Sequence, residues 1–250
     1  MIKFNYLSER CKKLSETIKK DIPLILSEIE RYGKGNPTLS DSIPELLFDD
    51  EINRCSNVIR QIDNFDTTSL DRNLKSLKVT RLYGKFVRRV DADYDMIDNH
   101  MRVGYPSSIS HEMLHMSSTI YDYDKGMCYS GLLMFGGELH IGREFTEGLT
   151  ELLNIENFNV GDNIPSYEYF MKYVKLFREA FPKIDLVKYY STSDLNGLLE
   201  ELTSYGISKE EGLTYIYLLG KFKPLYFKVV EGFLAEYLED FNAKVKRIEK

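Results

Sequence analysis

Apolar residues recur along this chain at two periods, and the change from one to the other divides it. Leu7, Cys11, Leu14 and Ile18 stand four, three and four residues apart, which puts them on one face of a helix within residues 4–32. Pro23 marks the start of a second helical stretch through Ile29, and Gly33-Lys34-Gly35-Asn36-Pro37 is a break. After Pro44, a further helix carries Ile52, Cys55, Val58, Ile59 and Ile62 on one side. From Leu77 the helical period is lost. Residues 77–83 read as a strand and residues 96–103 as a clearer one, with Ile97, Met101 and Val103 on one face and Asp98, His100 and Arg102 on the other.

Tyr105-Pro106-Ser107-Ser108 then turns the chain into a helix with a serine cap, expected to end near Tyr121. The polar segment 122–126 begins D-x-D but lacks the rest of an EF-hand loop, so it predicts no calcium site. Residues 131–142 read as a hairpin on the Gly136-Gly137 turn, with Leu139 and Ile141 inward and Glu138 and His140 on the other face. A helix follows at once. Beyond a polar loop with Gly161 and Pro165, helical stripes run to the end: Tyr169, Tyr173, Leu176, Phe177 and Ala180, then residues 194–202, 208–219 and 225–241. Ser208-x-x-Glu211 opens the third of these as a capping box.

The order predicts an α+β fold, predominantly helical, with a small, mostly antiparallel sheet. It divides into a helical N-terminal portion (1–75), a core of sheet and helices (76–155) and a helical C-terminal subdomain (156–250) forming the second wall of a cleft.

Composition narrows the function classes. A hydrophobic content of 43% over 250 residues supports a sizeable core. The net charge of −6, with both signs interspersed, gives no basic surface, so nucleic acid is not an expected partner. No apolar run reaches membrane-spanning length and no N-terminal signal is visible, so the expected location is the cytoplasm, without a membrane partner. The three cysteines, Cys11, Cys55 and Cys128, are far apart and form no C-x-x-C, which argues against both a disulfide framework and a thiolate metal site.

Chemistry concentrates at His111-Glu112-Met113-Leu114-His115, which takes two of the four histidines. The i, i+4 spacing stacks both imidazoles on one helical face, where they can grip one ion, and Glu112 can take a proton from a water beside it. This H-E-x-x-H, followed by Thr146-Glu147-x-x-Thr150-Glu151, resembles the paired helices of the gluzincin metallopeptidases, whose second helix reads N-E-x-x-S-D. The metzincin continuation is absent: Ser118 and Tyr121 occupy its glycine and third-histidine positions. The resemblance covers residues 111–151 and implies a zincin-like fold with the sheet beside the H-E-x-x-H helix. It implies Zn2+ held by His111, His115 and Glu147, with Glu151 hydrogen-bonded to a ligand histidine.

On that resemblance the activity is hydrolysis of a peptide or protein substrate, with Glu112 as base and proton carrier. An oxyanion donor is also required. His140 and Tyr129 are candidates, and the Tyr189-Tyr190 pair offers others. Two variants of the reading stay open, a metal-binding regulatory protein without turnover and a toxin- or phage-like effector with one dedicated substrate. A metal-free helical scaffold is the third alternative, which would have to bury His111, His115, Glu147 and Glu151 on otherwise apolar helices.

Overall fold

The computed structural model describes residues 2–37, 48–82, 92–137, 139–158, 167–221 and 227–248. The Leu7 side chain, Pro44, Tyr83, Glu138, Gly161, Pro165 and Leu225, to which the sequence assigns places, lie outside what is described.

Helix α1 (Ile2–Tyr32) runs unbroken through Pro23, where the sequence predicts a restart. Pro23 removes one N–H donor, but Leu14, Ile22 and Ile29 stay buried along one face, and that packing carries the helix past it. Helix α2 (Asp49–Ile59) buries Ile52, Cys55 and Ile59 and opens on three acidic residues, which suit a helix N-terminus. Ile62 lies beyond its end. Helix α3 (Thr68–Asn73) is too short to show a period and was not expected.

Strands β1 (Lys78–Arg81), β2 (Ala92–Asp95) and β3 (His100–Val103) form a mixed sheet in the order β1-β3-β2, with β1 parallel and β2 antiparallel to β3. The single strand expected over 96–103 is therefore a turn followed by a strand. The Asp95 carboxylate accepts the N–H groups of Ile97 and Asp98 at 3.0 and 3.3 Å, and Asn99 adopts φ 48°, which reverses the chain and exposes Ile97.

A 3-10 turn over Pro106–Ser108 leads into helix α4 (Ile109–Ser118), and Ser108 makes no side-chain cap. Helix α4 stops before Tyr121 because strand β4 (Thr119–Asp122) begins there. Asn73 closes the junction, its amide donating to the carbonyls of Met116 and Thr119 at 2.7 and 3.0 Å. Strands β5 (Met127–Ser130), β6 (Leu133–Gly136) and β7 (Leu139–Ile141) complete an antiparallel meander, β4-β5-β6-β7. The expected hairpin is β6–β7, with Leu139 and Ile141 buried and His140 exposed. Asp122 serves structure: its carboxylate accepts the Asn36 N–H at 2.9 Å and pairs with Lys125, tying the chain after α1 to the sheet.

Among the described residues, six more helices follow: α5 (Arg143–Phe158), α6 (Glu168–Ala180), α7 (Leu186–Ser191), α8 (Leu195–Thr203), α9 (Lys209–Leu219) and α10 (Phe227–Ile248). The capping box on α9 forms in both directions, at 3.2 and 2.8 Å. The aromatic stripe of α6 is core: the Phe177 ring centroid lies 5.3 Å from Phe145, 4.8 Å from Phe181 and 5.4 Å from Tyr215. Helix α1 packs on α8, α9 and α10, so the first helix joins the C-terminal helical layer. No helix among the described residues is long and apolar enough to cross a membrane.

Phe177 is fully buried between α5, α6 and α9. Truncation to alanine should cost about 3–5 kcal/mol of unfolding free energy, seen as a lower midpoint in chemical denaturation at unchanged slope.

Candidate metal centre

Two helices bring the polar residues together, and the chain sets both firmly. Helix α5 starts directly from β7 at Gly142, whose φ is +85° and where a Cβ would stand 2.0 Å from the Leu132 carbonyl oxygen; only glycine fits. The Thr146 hydroxyl then accepts the Leu132 N–H at 3.0 Å, and the Thr150 hydroxyl shares a 2.9 Å hydrogen bond with Tyr190. These threonines anchor α5 on either side of Glu147 along the chain. Around His111 and His115, the residues Ile109, Met113, Leu114 and Met116 are all fully buried and fix the rotation of α4.

The donor atoms converge. His111 Nε2 and His115 Nε2 lie 3.1 Å apart, and Glu147 Oε2 lies 3.3 Å from His115 Nε2 and 3.4 Å from His111 Nε2. A tetrahedral ion with ligands ~2.0–2.1 Å from its centre has edges of about 3.3–3.4 Å, so this triangle is one face of such a tetrahedron. The three residues can hold a metal ion. On the far side of His111, Nδ1 meets Glu151 Oε2 at 2.8 Å. The Glu151 carboxylate is completely buried and also receives the Asn154 amide at 3.4 Å. It holds the proton of His111 on Nδ1 and leaves Nε2 aimed at the triangle.

The electrostatics follow from this crowding. Burial opposes the charged form of His111, yet hydrogen bonds to Glu147 and Glu151 hold its pKa well above the ordinary imidazole value. Burial likewise opposes ionisation of Glu147, but attraction to His115 and hydrogen bonds from both imidazoles keep its carboxyl far below the usual range. Glu112 is raised, first by burial and then by Glu147 and Asp93, with the two imidazoles pulling the other way. A carboxyl perturbed upward beside the donor triangle is suited to exchanging protons.

Tyr167 completes the centre and was not among the residues singled out from the sequence. Its ring stacks on His111 at a centroid distance of 5.3 Å and an interplanar angle of 16°. Its pKa is raised by burial first and then by the Glu147 and Glu112 charges that its hydroxyl faces. The close approach that allows this has a signal in the sequence. Gly148 directly follows Glu147, and a Cβ there would lie 2.8 Å from the Phe170 carbonyl carbon, so a glycine lets α6 press against α5.

Of the other nominated residues, Tyr190 lies near the triangle: it is fully buried, its hydroxyl bonds Thr150 one turn along α5 from Glu147, and its pKa is raised, first by burial and then by the Glu147 and Glu112 charges. Strand alternation puts Tyr129 on the face shared with Ile120, Met134 and Ile141, fully buried, its ring filling the space beside Gly35. The structure therefore does not bring Tyr129 to the triangle. His140 stands edge-on to Phe135, centroids 5.9 Å apart, and lines a separate cavity beside Arg143 and Lys221. Tyr189 bonds Glu201. His100 pairs with Thr80 at 2.8 Å. Cys55 and Cys128 are buried thiols pushed up to about 12 by desolvation, which removes them as nucleophiles. No protein-family model, no curated protein and no solved structure matches the chain.

The purified protein should carry about one metal ion per chain by elemental mass spectrometry, and Glu147→Ala should lose most of it. Glu151→Ala keeps all three ligands but frees the His111 ring, so metal affinity should fall ~10–100-fold in a competition titration with a chromogenic chelator. A metal must displace the second proton of His111, the one on Nε2, so affinity should rise with pH through and above neutrality, with protons released on binding.

Proposed function

We propose that this chain is a zinc-dependent metallopeptidase of the gluzincin type. The observation that carries the reading is the 3.1, 3.3 and 3.4 Å triangle of two imidazole nitrogens and one carboxylate oxygen, with an ionisable carboxyl, Glu112, directly beside it. Two nitrogens and one oxygen, with a fourth direction left open, is the donor set of a catalytic zinc site. When bound there, zinc supplies Lewis acidity that polarises a carbonyl and makes water acidic enough to attack near neutral pH.

The chain's own residues do the rest. Glu112 accepts the proton of the attacking water and returns it to the departing amine nitrogen, and its raised pKa suits both halves of that transfer. The Tyr167 hydroxyl, stacked over His111 and kept protonated by burial and its acidic neighbours, is placed to donate to the oxyanion that develops on the former carbonyl. Glu151 acts through His111, holding the ring in the tautomer and orientation required. Asp93, the acidic neighbour of Glu112 from β2, is held in place by a bidentate pair with Arg102 at 2.7 and 2.8 Å.

The test is digestion of a proteome-derived peptide library by zinc-loaded protein, read by mass spectrometry. Glu112→Gln should reduce cleavage at least ~100-fold while retaining one zinc per chain. Cleavage that survives this substitution unchanged would sink the reading. Tyr167→Phe should lower kcat ~100-fold with little change in KM or zinc content. Gly148→Ala, which displaces α6 without touching a ligand, should reproduce much of that loss.

A further inference from the structure

A second polar feature lies one helical turn before Glu147, and the chemistry above makes no use of it. His140 and Ile141 of β7, with Gly142, Arg143 and Glu144 at the start of α5, face Ile216 and Tyr217 of α9 and Gly220 and Lys221 just beyond its end across a cavity of about 150 Å3. That is well above the ~10–15 Å3 that admits one water molecule. The lining is mixed but leans positive, in a chain whose net charge is −6. Lys221 is held with its ammonium 4.2 Å from the centroid of the Tyr217 ring. The Arg143 Nε lies 4.0 Å from Glu147 Oε1, and the Arg143 side chain is otherwise 61% exposed. The one acidic group of the lining, Glu144, is pressed towards the end of α9, its Oε2 3.0 Å from where a Gly220 Cβ would be.

We propose that this cavity is a subsite for a carboxylate of the substrate, received by Arg143 and Lys221. Arg143 links it to the metal centre, because the same side chain that lines the cavity also reaches a metal-ligand carboxylate. The four-residue step from Arg143 to Glu147 rises about 6 Å along the helix, a length that about two extended residues of a substrate span. A planar guanidinium and an ammonium on opposite walls suit a carboxylate, and the arginine can bind it bidentately. Its source is either the free C-terminus of the substrate or an Asp or Glu side chain. The proposal rests on the metallopeptidase reading for its role, though not for its binding chemistry.

The experiment measures binding rather than turnover. Zinc-loaded Glu112→Gln protein is titrated calorimetrically with three short N-acetylated peptides of one neutral sequence: amidated, with a free C-terminal carboxylate, and amidated with one glutamate substituted. One carboxylate form should bind ~10-fold more tightly than the neutral amide, and which one identifies the source. Adding Lys221→Glu should abolish or invert that preference while zinc content stays at one per chain, and adding Arg143→Gln should weaken it. Equal affinities for charged and neutral peptides, including no binding by any, would overturn the subsite, as would a preference that both variants leave intact. Failure of the parent protein to cleave any peptide, with the carboxylate preference present and sensitive to Lys221→Glu, would instead count against the hydrolytic reading alone.

Discussion

The hydrogen bond between His111 and the buried Glu151 carboxylate is the contact on which the centre depends. It joins α4 to α5 at 2.8 Å in a place where the carboxylate has no access to water. Burying such a pair is not a means to stability, since well-packed apolar residues in its place are often neutral or better by ~1–4 kcal/mol. What the pair does is directional. It fixes one imidazole nitrogen as donor to Glu151 and leaves the other pointing at the space shared with His115 and Glu147.

Everything around the two helices resists rotation or translation of that pair. Apolar residues of α4 lock its azimuth, Asn73 closes its C-terminal end, and the meander beginning at Thr119 prevents it from extending. Helix α5 is fixed at its start by a backbone conformation open only to glycine at position 142, and along its length by Thr146 and Thr150. Sites borne on rigid elements hold donor atoms to within fractions of an ångström, and the near-equal sides of the donor triangle are the outcome. The cluster concentrates two imidazoles and three carboxylates in a small volume, and the resulting opposed pKa shifts at His111 and Glu147 express the same attraction from its two sides.

The third layer is α6. Its packing on α5 has two consequences, a rigid aromatic core around Phe177 and the delivery of Tyr167 onto the His111 ring. Both need the close approach at Gly148, so core and centre are coupled through one small residue. The end of α9 contributes the opposite wall of the neighbouring cavity, which places a C-terminal element within reach of the same helix that carries the donor carboxylate.

Local information determined much of this. The i, i+4 spacing of His111 and His115 and the i, i+4 spacing of Glu147 and Glu151 are properties of a helix wherever it lies, and so are the capping box at Ser208 and the alternation of Leu139, His140 and Ile141. Those features were legible because their physics acts over a few residues. Where the reading of the strand at 96–103 failed, the deciding groups were also short-range, the Asp95 and Asn99 turn, but alternating apolar residues masked them. Pro23 stayed inside α1 because burial along that helix outweighs the loss of one donor. Tertiary structure alone decided which polar residues meet. Tyr129 and His140 sit near the two helices that carry the donor triangle in sequence yet face other surroundings, because strand alternation and the order of the meander set their direction. Tyr167, 20 positions beyond Glu147, arrives at the centre because α6 folds back on α5. No local pattern marks such a residue, since its position depends on the packing of two helices and not on the spacing within either.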